Sequence, residues 1–289
     1  MSLITLKKMV RKNIICCALA SLLVLSLAGC SSNATSNNAV LQETNSTADE
    51  DINSTLDKDT WIVGLDDSFA PMGFRDEKGE LTGFDVDMAK AFGEKLGKSV
   101  KFQPIDWSMK ESELNSGNID FIWNGYTITD ERKEKVAFST PYLNNKQIIV
   151  TLASSDINAK SDLIDKKVGA QSESSAVTAM EKEANLYSSF NGGEAITFED
   201  NNQALMDLEA GRIDAVVADE ILLRYYISLK GAEKYHILSE DFGSEEYGVG
   251  MRKEDQKMVD AFNKAYEELK ADGTLKAISE KWFAEDIIR

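Results

Sequence analysis

Two segments of the chain follow the same short pattern. Leu114-Asn115-Ser116-Gly117-Asn118-Ile119-Asp120 runs into Phe121-Ile122-Trp123, and Leu208-Glu209-Ala210-Gly211-Arg212-Ile213-Asp214 runs into Ala215-Val216-Val217. Each reads as a helix end, a glycine just past it and then a buried strand. A fainter echo links Ile62-Val63-Gly64, leading to Ser68, with Lys167-Val168-Gly169, leading to Ser172. Such an internal repeat restricts the fold to two units of similar plan. In each, strands alternate with helical segments, which favours α/β lobes with mostly parallel sheets. Phe84, Met88, Phe92 and Leu96 keep helical spacing, as do Met258, Phe262, Ala265, Tyr266 and Leu269, and then Leu275, Ile278 and Trp282. These stripes read as core. Gly273 ends one of the last helices and Thr274 is placed to cap the next.

Composition narrows the chemistry. The formal charge is −17, and the first 29 residues carry Lys7, Lys8, Arg11 and Lys12 but no acid, so the rest is more acidic still. That argues against a nucleic-acid partner, which needs clustered cations. The cysteines are Cys16, Cys17 and Cys30, and the sole histidine is His236. No zinc or copper site of the usual N and S ligands can be assembled, and no cofactor is implied. Histidine-based nucleophilic catalysis would rest on His236 alone, so no catalytic residue is assigned.

The N-terminal 29 residues read as a signal peptide. A basic stretch to Lys12 precedes an apolar run from Ile14 to Leu27, too short to span a bilayer. The run ends in Leu27-Ala28-Gly29-Cys30, which resembles a bacterial lipobox, with the Cys30 thiol as the lipidation site. Residues 30–58 are rich in Ser, Asn, Thr and Asp and read as a flexible tether, since they bury too little surface to offset ordering entropy. The body would meet the membrane through its lipid anchor only.

In open α/β sheets, ligands sit beyond the carboxyl ends of strands, and pockets favour domain interfaces. That points to Leu65–Phe69, Asn124–Thr127, Gln171–Ser175 and Ala218–Asp219. Thr129-Asp130-Glu131-Arg132 reads as a helix start, where a cation is mildly unfavourable. Arg132 is either a surface ion pair or a bidentate carboxylate clamp. Ser172-Glu173-Ser174-Ser175 offers hydroxyls and free N–H groups that suit an anion, or simply caps a helix. Asp219 could hold an ammonium group or cap the helix that follows it.

Five stretches then carry a resemblance: Gly83-Phe84-Asp85-Val86-Asp87, Ile128-Thr129-Asp130-Glu131-Arg132-Lys133, Phe138-Ser139-Thr140-Pro141-Tyr142, Gly211-Arg212-Ile213-Asp214-Ala215 and Ala271-Asp272-Gly273-Thr274. In this order they resemble the family 3 bacterial solute-binding proteins, the polar amino acid-binding class. The resemblance implies a bilobed type II periplasmic-binding fold. Lobe 1 would take residues 59–147 and 245–289, and lobe 2 residues 148–244, with a two-strand hinge. It implies a monomer that carries a free amino acid to an ABC permease and its ATPase. Position by position, Arg132, Thr127, Ser174 and Ser175 would hold the ligand carboxylate, and Asp219 and Gly125 its ammonium. Asp66, Phe69, Trp107, Trp123, Tyr126 and Glu173 would face the side chain. Glu173 departs from the family's usual glycine. With Asp66 it favours a cationic ligand, arginine or lysine, over a neutral amino acid, and glutamine and cystine stay open. The rival classes are an enzyme on the same fold, with Glu173 or Asp66 as acid or base, and a ligand-sensing lipoprotein.

Overall fold

The computed structural model describes residues 54–289. The expected signal peptide, Cys30 and most of the expected tether lie outside the described residues. In chain order, the first lobe contains β1 (Thr60–Leu65), β2 (Ser68–Phe69), β3 (Gly73–Arg75), β4 (Leu81–Thr82), α1 (Phe84–Lys95), β5 (Ser99–Pro104), α2 (Lys110–Asn115), β6 (Phe121–Ile122), α3 (Asp130–Lys135) and β7 (Ala137–Phe138). The second holds β8 (Leu143–Leu152), β9 (Val168–Gln171), α4 (Ser175–Glu181), α5 (Ala184–Tyr187), β10 (Ile196–Phe198), α6 (Asn201–Glu209), β11 (Ala215–Asp219), α7 (Glu220–Lys230) and β12 (Tyr235–Tyr247). The chain then returns to the first lobe as β13 (Gly250–Met251), α8 (Gln256–Ala271) and α9 (Thr274–Phe283).

Each lobe is built on a five-stranded sheet, ordered β5-β1-β6-β13-β7 in the first and β10-β9-β11-β8-β12 in the second. Both have a parallel core, β5-β1-β6 and β10-β9-β11, flanked by antiparallel strands delivered by the crossing segments. The crossings are the long strands β8 and β12. Beyond Gln147, the last β8 residue paired with β11, they continue as a two-stranded ribbon through Leu143 and Tyr247. Thr127 of the first lobe bridges to Tyr247 at the ribbon's end. The two lobes therefore meet through a pair of strands that can bend without breaking either sheet.

The repeat has a geometric basis. Gly117 and Gly211 both have positive φ, 81° and 68°. Behind them Asn118 N–H and Arg212 N–H reach back to the carbonyls of Glu113 and Asp207, and the glycine N–H groups reach those of Leu114 and Leu208. These are paired Schellman closures, which need a residue free to adopt left-handed φ. The aspartates that follow play matching parts. Asp120 accepts from Ile62 N–H and Asp214 from Lys167 N–H, stitching each helix-strand turn to the neighbouring strand.

The stripes read as core are core, with Leu96, Ile278 and Trp282 only half-buried at its edge. Phe92 stacks on Phe262 at 4.3 Å between ring centroids, and Trp61 meets Phe121 edge-on at 5.1 Å. Two expectations are corrected. The folded body starts before Thr60: Ser54 Oγ and Thr55 N–H both donate to Asp255, and Arg252 donates to Thr55 Oγ1. These partners lie some 200 residues away, invisible to local composition, so the polar run up to residue 58 does not stay free to its end. The other correction concerns Thr274. Gly273, at φ 86°, occupies the N-cap, while Thr274 Oγ1 donates to Asp272.

Candidate functional site

The cleft lies where the carboxyl ends of β1, β6, β9 and β11 converge, and it is shut. Direct hydrogen bonds cross it at four places. Gln171 Nε2 donates to Asp66 Oδ2 at 2.8 Å. Thr127 Oγ1 and Ser175 Oγ share a hydrogen bond at 3.0 Å. Lys110 Nζ and an Arg132 guanidinium nitrogen both donate to the carbonyl of Glu173, at 3.1 and 3.3 Å. Tyr226 Oη donates to Ser68 O at 2.6 Å.

Arg132 is set by local structure. Thr129 caps α3 by accepting from Arg132 N–H, which turns the arginine inward from the helix's first turn. Its guanidinium lies 4.6 Å from the Tyr126 ring centre, a cation-π contact, and donates to Thr127 O at 2.9 Å. It is 6% exposed, and among the described residues it has no carboxylate partner. Tyr126 is buried between Arg132, Phe138 and Trp107, and its hydroxyl donates to Glu111 at 2.9 Å. Burial pushes that phenol's pKa up.

Lys110, which the sequence did not single out, lies beside Arg132. It packs 5.2 Å from the Trp107 ring, and burial, then Arg132, lower its pKa to about 8. Asp106 caps the short turn that carries Trp107, and Lys110 follows one turn later, so the only local signal was an Asp before an aromatic.

At the opposite pole, Asp219 ends β11 and is 5% exposed. Its Oδ1 accepts from Asn145 Nδ2 at 2.5 Å, Tyr247 Oη at 2.6 Å and Gln147 Nε2 at 3.0 Å. Burial first, then the nearby Glu245 charge, hold its pKa well above the carboxylate range. Among the described residues no cation pairs with it. Asn145, Gln147, Glu245 and Tyr247 were also missed. Their one legible signal is alternation, i and i+2, on the two crossing strands.

The remaining expected residues are placed as follows. Ser174 Oγ is buried without a partner, next to the Thr127–Ser175 bond. Asp66 is buried, accepts from Ser68 and Gln171, and has its pKa raised by that burial. It lines a hollow of ≈ 240 Å³ with Ser68, Trp107, Glu199 and Asp200. Gly125, at φ 57°, spends its N–H on Asp85, leaving only its carbonyl for a ligand. A Cβ there would lie 3.0 Å from Phe69, which together with Tyr247 packs over it. Asp85 in turn sits in the first turn of α1, where burial raises its pKa to about 7.

Two residues sit differently from expectation. Trp123 is 1% exposed, 5.3 Å from Phe92 and 5.2 Å from Phe262, so it belongs to the core of the first lobe. Its place one residue past β6 turns it away from the side that Asn124 and Thr127 present to the cleft. Glu173 adopts φ 54°, a left-handed conformation natural to glycine, and its side chain is exposed. Its carbonyl, not its carboxylate, meets Lys110 and Arg132.

Residues 61–285 match the profile of the bacterial extracellular solute-binding proteins, family 3. The chain belongs to this family. Among relatives of this solute-binding protein, the L-cystine-binding protein TcyJ of Escherichia coli (strain K12) is 34% identical over 245 residues, 84% of this chain and 90% of that one. A Streptococcus pneumoniae ABC uptake transporter substrate-binding protein with bound histidine is 41% identical, with TM-score 0.78, across 81% of this chain and 96% of that chain. An ancestral arginine-binding protein bound to arginine is 40% identical, with TM-score 0.73, across 78% and 99%. The solute-binding protein described here thus has the type II periplasmic-binding fold, two α/β lobes joined by a two-strand hinge. Among its described residues no helix is long and apolar enough to cross a membrane, and no His, Cys, Asp and Glu cluster suits a metal.

Proposed function

We propose that this protein captures a free cationic L-amino acid, arginine or lysine, outside the cell and presents it to an ABC permease. The observation that carries the reading is a pair of buried, uncompensated charges. Arg132 meets only carbonyl oxygens and an aromatic face, and Asp219 meets only neutral donors and a second carboxylate. Buried charges cost several kcal/mol each unless paired. A zwitterion supplies both counter-charges at once. Its carboxylate would take Arg132 with Thr127, Ser175 and the unpartnered Ser174 hydroxyl, and its ammonium would take Asp219. Asp66, with Glu199 and Asp200 around the same hollow, favours a positive side-chain end.

A ligand entering here replaces the direct bonds between Thr127 and Ser175 and between Arg132 and Glu173. The lobes then close on the ligand rather than on each other, and its differential affinity for the closed form sets the hinge equilibrium. The chemistry is binding without catalysis. A screen of the common amino acids and cystine by thermal shift tests it. Arginine and lysine should raise the melting temperature most, since ligand at 100 Kd adds about 2.7 kcal/mol. No shift with any amino acid would sink the reading. Cystine is the second reading, because Lys110 beside Arg132 gives the cleft a second cation for a second carboxylate; a shift with cystine alone would select it.

The reading includes a lipid anchor at Cys30 and a monomeric body outside the membrane. Cys30→Ser should move the protein from the membrane fraction to the medium or periplasm. Retention in the membrane would overturn the anchor while leaving the binding site unaffected.

A further inference from the structure

Asp219 and Glu245 crowd one spot at the hinge. Glu245 Oε1 accepts from Asn145 Nδ2 at 2.7 Å, Gln147 Nε2 at 2.8 Å and Thr127 Oγ1 at 2.9 Å. Asp219 Oδ1 accepts from the same two amide nitrogens. Gln147 Nε2 thus faces three acceptors, Asp219, Glu245 and Ser175 Oγ, with two hydrogens. Its own Oε1 is buried with no donor. The cluster therefore lacks donors, and among the described residues neither carboxylate has a cation. Two carboxylates this close do not both ionise readily.

We propose that Glu245 completes the ammonium seat with Asp219, that the empty seat holds one proton between them, and that an amino acid's ammonium group expels it on binding. The inference rests on the amino-acid reading above. The ammonium brings the positive charge and the donors that the cluster lacks. The carboxylic acid becomes a carboxylate and its proton passes to solvent. Asp219's pKa, raised by burial and by Glu245, favours a protonated empty seat.

The other titratable or charged groups near the pair leave this balance in place. Tyr247 donates to Asp219, and Tyr142 behind it donates to Asp85. Lys146 on β8 faces Asp241, and Glu220 on α7 pairs with Arg224. Arg132 is turned to the carbonyls of Thr127 and Glu173.

The test is calorimetric titration of the full chain with arginine, at fixed pH between 5 and 8, in buffers of differing ionisation enthalpy. The dependence of observed heat on buffer should report about one proton released per arginine where the pair is singly protonated. Affinity should then rise with pH, by up to about tenfold per unit, because binding and protonation compete. Glu245→Gln should still bind arginine but release clearly less than the wild type, since Asp219 loses the like charge that favours its protonated form. Tight binding with no proton release at any pH would overturn the shared proton and leave the amino-acid reading standing. Release unchanged in Glu245→Gln would overturn the part given to Glu245. Absence of binding by arginine, lysine and cystine alike would remove the seat and this inference with it.

Discussion

Arg132→Ala is expected to weaken amino-acid binding by about 2–5 kcal/mol, roughly 30-fold to several-thousand-fold. The loss is large because the variant leaves a carboxylate buried in a shut cleft without the guanidinium that faces it. Lysine at the same position should recover little. It has no planar fork to place two donors along a carboxylate, and no flat face to lie 4.6 Å above Tyr126. The unliganded fold should change far less, since the guanidinium's own partners are the carbonyls of Thr127 and Glu173. Calorimetry on the variant, alongside a urea melt without ligand, separates the two effects. Affinity within twofold of the wild type would remove Arg132 from the site.

Trp123→Ala is expected to act in the opposite way, costing about 3–5 kcal/mol of stability, the range for deleting a large buried aromatic. Trp123 packs edge-on against both Phe92 and Phe262, and those rings stack on each other at 4.3 Å. Truncation opens a cavity in the middle of that group. Trp123→Phe keeps an aromatic in place and should cost clearly less. Binding measured on the folded fraction at low temperature should stay within a few-fold of the wild type. A urea midpoint that barely moves, with affinity lost, would return Trp123 to the cleft.

These two residues show how far the sequence could be read. Arg132 was conspicuous because a cation in the first turn of a helix opposes the dipole, so it needed a reason to be there. Its alternatives, surface pair or buried clamp, differ only in what faces it, and that depends on Tyr126 and on the far lobe. Trp123 carried no such mark. A tryptophan just past a strand reads alike whether it points to the cleft or to α8, and one residue of alternation decides which. Lys110 was silent, and Gln171 was marked only as the end of a strand, for a related reason. Each is an ordinary polar residue until the other lobe arrives, bringing Glu173 O to the first and Asp66 to the second.

By itself the sequence determined the two-lobe plan, the core stripes and the outline of the cleft. Those follow from local rules: left-handed glycines at helix ends, periodic apolar residues, and loops at the carboxyl ends of parallel strands. Only the tertiary structure decided that the body starts at or before Ser54, that Glu173 offers a carbonyl, and that Asp219 shares its seat with Glu245. Each of these joins residues tens to hundreds of positions apart, through hydrogen bonds and desolvated charges. Their strength depends on distance and burial, which no local pattern encodes.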